Sequence, residues 1–323
     1  MQAKQTDQKK LAERERSRAR RISYLKGNYD LYLMMIPALL FFLIFKYVPI
    51  GGLQLAFKKY NFSLGIMGSP WVGFSVFEQL FKEKAFWRAV WNTVWLNLIG
   101  LLIVFPMPVL FALLLNELKS ERYKRVSQSI SYLPHFISWV IVYGIIVQFN
   151  QENTGLFNII NKTLGQSQRN YLTDKSSWLV IFFLSNIWKE AGWQAIMYLS
   201  ALSAIDPGLY EAAAIDGAGR FKSAIHVTLP GIRGTVAIIL ILQVGKIMTM
   251  GFEKPYLFEN QMVKDIASVL SVYIYQQGVQ NAKFELTTAA GMFQGVVNYA
   301  LLLLADWGAK LCGEEGLFGG GKR

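Results

Sequence analysis

Side chains able to hold a metal, act as a nucleophile or shuttle a proton near neutral pH are scarce in this chain. Its 323 residues include one cysteine, Cys312, and two histidines, His135 and His226. A lone thiol excludes a disulfide-stapled secreted scaffold, and three such residues are too few for a structural zinc site. No H-E-x-x-H motif occurs, and Gly320-Gly321-Lys322-Arg323 does not fit the G-x-x-x-x-G-K-[ST] frame of a phosphate loop. His135 follows Pro134 and reads as a satisfied structural histidine rather than a base. The sequence therefore predicts no metal site, no catalytic centre and no cofactor bound by this chain.

The polar groups that stand out do so by their location. Lys189 and Glu190 interrupt an otherwise apolar run, and so does Lys246. A charge at the centre of a bilayer costs about 2.5–3.5 kcal/mol on insertion scales, so such residues face the interior, pair, or line water. Neighbours on a helix point about 100° apart, so Lys189 and Glu190 are not expected to face one neighbour squarely.

The elements that carry these groups are apolar. Hydrophobic residues make up 53% of the chain and charged ones 17%, against about a quarter charged in a soluble domain. Intrinsic disorder is thereby excluded for most of the chain. A membrane-crossing helix needs roughly 20 apolar residues. Six runs qualify: 31–57, interrupted by Lys46; 89–116; 126–150; 176–205, interrupted by Lys189 and Glu190; 234–251, interrupted by Lys246; and 286–305. The first run ends in Lys46-Tyr47-Val48-Pro49-Ile50-Gly51-Gly52 rather than a small-residue cleavage site, so it is expected to stay as a helix. The fold class expected is all-α and integral to the membrane, with six transmembrane helices spread over residues 29–310. A basic tail, 1–28, precedes this domain and a short tail, 311–323, follows it.

Charge sets the orientation. With the N-terminus inside, nineteen of the 33 Lys and Arg residues fall in the tails and inner loops, eleven in the longer outer loops and three within spans. That excess predicts both termini in the cytoplasm. It also accounts for the net charge of +12 without nucleic acid, because the tail faces anionic headgroups of the lipid bilayer. The outer segment 58–88 holds Trp71, Phe74, Phe77, Phe81, Phe86 and Trp87, which suits anchoring in the interfacial aromatic belt.

One inner segment is built differently. From Asp206 to Pro230, Asp206 can cap a helix that has Pro207 in its first turn. Small residues continue it through Glu211, Ala212 and Ala213, and Gly217 can take the left-handed conformation that stops it. A second short helix is expected from about Arg220 to Thr228, ending where Pro230 breaks the pattern. The product is a rigid helix-turn-helix on the inner surface, whose small residues permit close approach to another surface; a cytoplasmic loop that merely lies on the membrane is the other reading, and spacing alone does not separate the two.

Here the sequence resembles a known family. Glu211-Ala212-Ala213, then Gly217, then Val227-x-Leu229-Pro230 is similar to the E-A-A-x3-G-x9-I-x-L-P loop of binding-protein-dependent ABC importer permeases, with Val227 where Ile is usual. Phe45-Lys46-Tyr47-Val48-Pro49, Trp188-Lys189-Glu190-x-Gly192-Trp193, Gly251-Phe252-Glu253-Lys254 and Tyr273-x-Tyr275-x-x-Gly278 resemble the carbohydrate-uptake branch, of the oligosaccharide and complex-polysaccharide type. The resemblance spans residues 28–310.

The resemblance implies a bacterial cell-membrane permease that works with a second, homologous permease subunit, two ATPase subunits that bind ATP and Mg, and an extracytoplasmic solute-binding protein. Glu211, Ala212, Ala213, Gly217, Leu229 and Pro230 would couple it to an ATPase. The translocation path would draw on Lys189, Glu190, Trp193, Gln194, Gln294 and Asn298. For Lys189 and Glu190, pairing between subunits and cavity lining both remain open, and for Trp193 so do sugar stacking and packing. Asn186 and the amides named above can hydrogen-bond hydroxyls, and Gln294 and Asn298, four apart, share a helix face. The alternative is a secondary transporter or channel working without an ATPase, which would show paired broken helices in two halves.

Overall fold

The computed structural model describes residues 24–25, 27–311, 313 and 316–317. Most of both tails lies outside the described residues. Among those described, the chain is helical, and the one β pairing is an isolated bridge between Lys58 and Trp71.

Two compact units form. The first holds the described residues up to 55 together with 60–69. Its main element is α1 (Tyr29–Phe42), continued by helical turns over Leu43–Tyr47 and Val48–Phe57. No residue of α1 is buried, as suits an apolar rod that meets lipid on its sides. The second unit holds 56–59 and the described residues from 70 onward. It comprises α2 (Ser75–Lys82), α3 (Lys84–Ile103), α4 (Pro106–Asn116), α5 (Glu121–Tyr132), α6 (Trp139–Phe149), α7 (Leu156–Thr163), α8 (Lys175–Ser203) and α9 (Pro207–Ile215). It is completed by α10 (Arg220–Ser223), α11 (Leu229–Val244), α12 (Glu253–Phe258), α13 (Lys264–Ala267), α14 (Leu270–Tyr275) and α15 (Phe284–Leu311).

Among the described residues, four stretches are long and apolar enough to cross a membrane: Tyr29–Phe57, Lys84–Asn116, Arg220–Val244 and Phe284–Leu311. A fifth candidate is bent. Where an unbroken run over 126–150 was expected, Glu121–Phe136 and Trp139–Phe149 meet at 94°. Pro134 has no N–H to continue a helix. Two residues past Phe136, Ser138 is extended and caps α6, its hydroxyl accepting from the Ile141 N–H at 3.4 Å. The run 176–205 forms α8, 29 residues long, which is held by the core through Trp178, Phe182, Ala195, Tyr198 and Leu202.

Pro230 does not end a helix as expected. α10 passes through a five-residue π turn, Ala224–Thr228, straight into α11. A π turn shifts the hydrogen-bond ladder by one residue, and Pro230 then sits in the first turn of the continuing helix, where its missing N–H is tolerated.

Among the described residues, three apolar clusters hold the second unit. α4, α8 and α11 meet through Val109, Ala112, Ala195, Tyr198, Leu202 and Ile232. α3, α8 and the segment 258–272 meet around Trp178 and Phe258. The aromatics of 71–87, expected to anchor in headgroups, are divided: Phe86 is fully buried and packs on Tyr273 and Phe293, while Trp71 and Phe74 are exposed. α8 also approaches α5 so closely at Gly192 that a Cβ there would meet the Ser131 backbone carbonyl within contact distance. Gly192→Ala must push the two helices apart, and overpacking of this kind costs about 1–3 kcal/mol. The expected result is a lowered thermal midpoint of the purified protein in detergent.

Candidate functional site

The segment 206–230 builds its own geometry. Asp206 is extended and its carboxylate accepts the Gly208 N–H at 2.9 Å, which starts α9. At the other end the Asp216 N–H bonds the Ala212 carbonyl at 3.0 Å, the Gly217 N–H that of Ala214 at 3.1 Å, and the Ala218 N–H that of Ala213 at 2.9 Å. Gly217 sits at φ +75°. The last two bonds with a left-handed residue between them are a Schellman motif, which stops a helix sharply. The Tyr210 hydroxyl donates to Thr228 Oγ1 at 3.2 Å and ties α9 to the π turn. Glu211 and Ala212 are exposed, Ala213 is half-buried, and Leu229 and Pro230 are exposed. No residue of α9 is buried; Ile215 is 87% exposed and Phe221, just beyond the turn, 79%. Two large apolar side chains thus stand free on a stiff knob.

A second group of charges lies where α5, α6 and α8 meet. Lys189 is 5% exposed, and its ammonium donates to the His135 carbonyl at 2.5 Å. Glu190 lies 2.8 Å from His135 Nδ1 with one oxygen and 3.4 Å from Lys189 Nζ with the other. The His135 ring stacks on Trp193, centroids 4.5 Å apart and planes 1° from parallel. Contrary to the angular argument above, Lys189 and Glu190 both engage one neighbour. They manage it because the chain is broken there: His135 offers its carbonyl to one and its ring to the other. His135 is accordingly fully engaged.

A cavity of about 420 Å³ opens beside this group. Asn97 and Phe105 wall it from the α3–α4 side, Asn186 and Gln194 from α8, Gln243 and Lys246 from the end of α11 and the turn after it, and Glu253 and Lys254 from α12. Of the six residues assigned to a path by sequence, Gln194 lines it. Lys189, Glu190 and Trp193 belong to the His135 group instead. Gln294 and Asn298 hold the turn after α11: Gln294 donates to the Met248 carbonyl at 2.8 Å, while Asn298 accepts the Met248 N–H at 3.0 Å and donates to Thr249 Oγ1 at 2.7 Å. Asn298→Ala would leave the Met248 N–H without its acceptor, and one such group costs about 1–3 kcal/mol. A correspondingly lower unfolding midpoint is the outcome to look for.

Sequence reasoning missed two residues. Lys254 is buried, donates to the Phe182 carbonyl at 2.6 Å and to Asn186 Oδ1 at 3.3 Å, and rests 3.7 Å from the Phe182 ring centre. Asn97 donates to the Ile247 carbonyl at 2.8 Å. Lys254 stood in a quoted motif but in what read as an outer loop, and Asn97 in a run otherwise read as plain membrane span. Among the described residues no three His, Cys, Asp or Glu come together to hold a metal.

Comparison with known proteins adds the family. The model described as binding-protein-dependent transport system inner membrane component matches residues 104–310. Protein LplB of Bacillus subtilis (strain 168) is 42% identical over 294 residues, 91% of this chain and 92% of LplB. The polygalacturonan/rhamnogalacturonan transport system permease protein YteP of the same organism is 41% identical, covering 92% of each chain. A crystal structure of a bacterial ABC transporter that imports the acidic polysaccharide alginate contains a chain that is similar at a TM-score of 0.83 and 41% identity, over 90% of this chain and 99% of that one. A further structure, of a bacterial alginate ABC transporter with an alginate pentasaccharide-bound periplasmic protein, matches at a TM-score of 0.82 and 40% identity, over 91% and 99%. The extent and identity of these matches leave one conclusion: the chain belongs to the family of binding-protein-dependent transport system inner membrane components.

Proposed function

We propose that the chain is a translocation subunit of an ATP-driven importer for a sugar, an oligosaccharide above all, received from an extracytoplasmic binding protein. It is not itself the hydrolase. A second permease and two ATPase subunits complete the complex, and ATP and Mg are held by the ATPases. In this reading the chain crosses the membrane six times, with α8 and the bent α5–α6 pair counted as spans and both termini in the cytoplasm.

The observation that carries the proposal is the knob formed by α9 and its turn. A short helix capped at both ends, with no buried residue and with Ile215 and Phe221 standing free, is a surface made to be covered. Glu211, Ala212, Ala213 and Gly217 would seat in a cleft of one ATPase, with Leu229 and Pro230 starting the helix that receives the motion. Nucleotide-driven closure of the ATPases then biases a two-state bundle. The path would run by Gln194, with Lys189, Glu190 and Trp193 bracing its α5–α6 side and Gln294 and Asn298 bracing the turn after α11.

A cysteine replacing Glu211, with Cys312 removed, tests the arrangement. Membrane-impermeant maleimide should leave it unlabelled in intact cells and label it in inverted vesicles. Labelling from outside, or full-rate uptake in proteoliposomes lacking any ATPase, would overturn the reading and favour a secondary transporter.

A further inference from the structure

α11 stops at Val244, and Gly245–Met250 runs in tight non-helical turns. Within a membrane bundle such backbone persists only where protein satisfies it or where it lines a water-filled space. Here protein groups satisfy it, and it lines a cavity. Asn97 serves the Ile247 carbonyl, Gln294 the Met248 carbonyl, and Asn298 the Met248 N–H and the Thr249 hydroxyl. Three amides from two other helices therefore hold Ile247, Met248 and Thr249, and of the six residues of the turn Lys246 alone is ionisable. Lys246 is exposed and lines the cavity of about 420 Å³, together with the amides of Asn97, Asn186, Gln194 and Gln243. Its surroundings differ from those of the other two lysines at this depth. Lys189 and Lys254 are buried against backbone carbonyls, whereas none of the ion pairs among the described residues involves Lys246.

An ammonium on a rigid turn, facing a cavity of small-ligand size, is a preformed site for an anion. The amides around it suit hydroxyl groups, which donate and accept at once. We infer that Lys246 pairs with a carboxylate of an acidic oligosaccharide, a uronate chain, in this cavity. The inference rests on the reading of the chain as a sugar-importing permease and assigns the charge class of the cargo. Glu253 lines the same cavity and opposes an incoming carboxylate. Lys246 is what turns the balance at the wall toward attraction, and Glu253 sets how strong that attraction is.

The wild-type complex, permease pair with its ATPases in nanodiscs and without the binding protein, is titrated with trigalacturonate and with neutral galactotriose. At about 50 mM salt the acidic sugar should bind about tenfold or more tightly than the neutral one, and the preference should shrink at about 500 mM, where charges are screened. Lys246→Gln should abolish the preference, Lys246→Arg should keep it, and Glu253→Gln should enlarge it. Equal binding of the two sugars by the wild type, or an unchanged preference in Lys246→Gln, overturns the assignment. If Lys246→Gln does not assemble, the wild-type titration and Glu253→Gln decide. ATP-dependent uptake by the wild-type complex is measured alongside. Uptake without acidic preference removes Lys246 alone, whereas its absence for every oligosaccharide tried removes the permease reading.

Discussion

Gly217→Val should lower uptake by reconstituted transporter at least about tenfold while the complex continues to hydrolyse ATP. The residue lies at φ +75°, where an L side chain costs roughly 1–2 kcal/mol and a β-branched one is a true outlier. A Cβ added at Gly217 meets nothing within 4 Å, so the whole effect comes from the backbone. The Schellman bonds from Gly217 and Ala218 to Ala214 and Ala213 hold only in that conformation, and without them α9 leaves its fixed angle to α10. Gly217→Asn provides the control, because asparagine enters the left-handed region several-fold more readily than other side chains. It should retain at least about half the uptake. Wild-type uptake by Gly217→Val would show that this angle does not matter for coupling.

Lys189→Met should be the most destabilising single change outside the knob. It removes an ammonium that is 5% exposed and leaves both the His135 carbonyl and the Glu190 carboxylate without it. Breaking a buried pair from one side costs about 3–5 kcal/mol, mostly from the charge left behind. The double variant Lys189→Met, Glu190→Gln removes that charge as well and should be more stable than Lys189→Met alone. Unfolding of the wild type, both single variants and the double variant in detergent gives the coupling directly. A loss under about 1 kcal/mol for Lys189→Met would mean that water reaches the pair.

Local signals were legible in the sequence. Asp206, Pro207 and Gly217 fix the start and end of α9 through bonds that reach five residues at most, so reading them needed no tertiary knowledge. The same holds for the length of α8. The break between α5 and α6 was half-legible: Pro134 is a visible stop, but a charge-free run over 126–150 hides it, since hydropathy is blind to backbone direction. Pro230 misled for the opposite reason, because the π turn that accommodates it leaves no mark in residue type. The braces on the turn after α11 could not be read. Asn97 and Ile247 are 150 residues apart, and an amide that could bond a sugar looks the same as one that bonds a carbonyl. The convergence of Lys189 and Glu190 on His135 likewise depends on a bend whose angle no spacing encodes.

The uninterrupted passage from Arg220 through the π turn to Val244 has a mechanical corollary. No slack joint separates the surface knob from the bilayer-crossing rod, and the Tyr210–Thr228 bond pins one against the other at their elbow. On the proposed function, a sideways push on α9 would arrive as a tilt of the entire rod, whose far tip carries the turn bearing Lys246. On that proposed function the protein would work as a crank of fixed throw, its stroke at the far tip set by the length of that rod rather than by how loosely a linker yields.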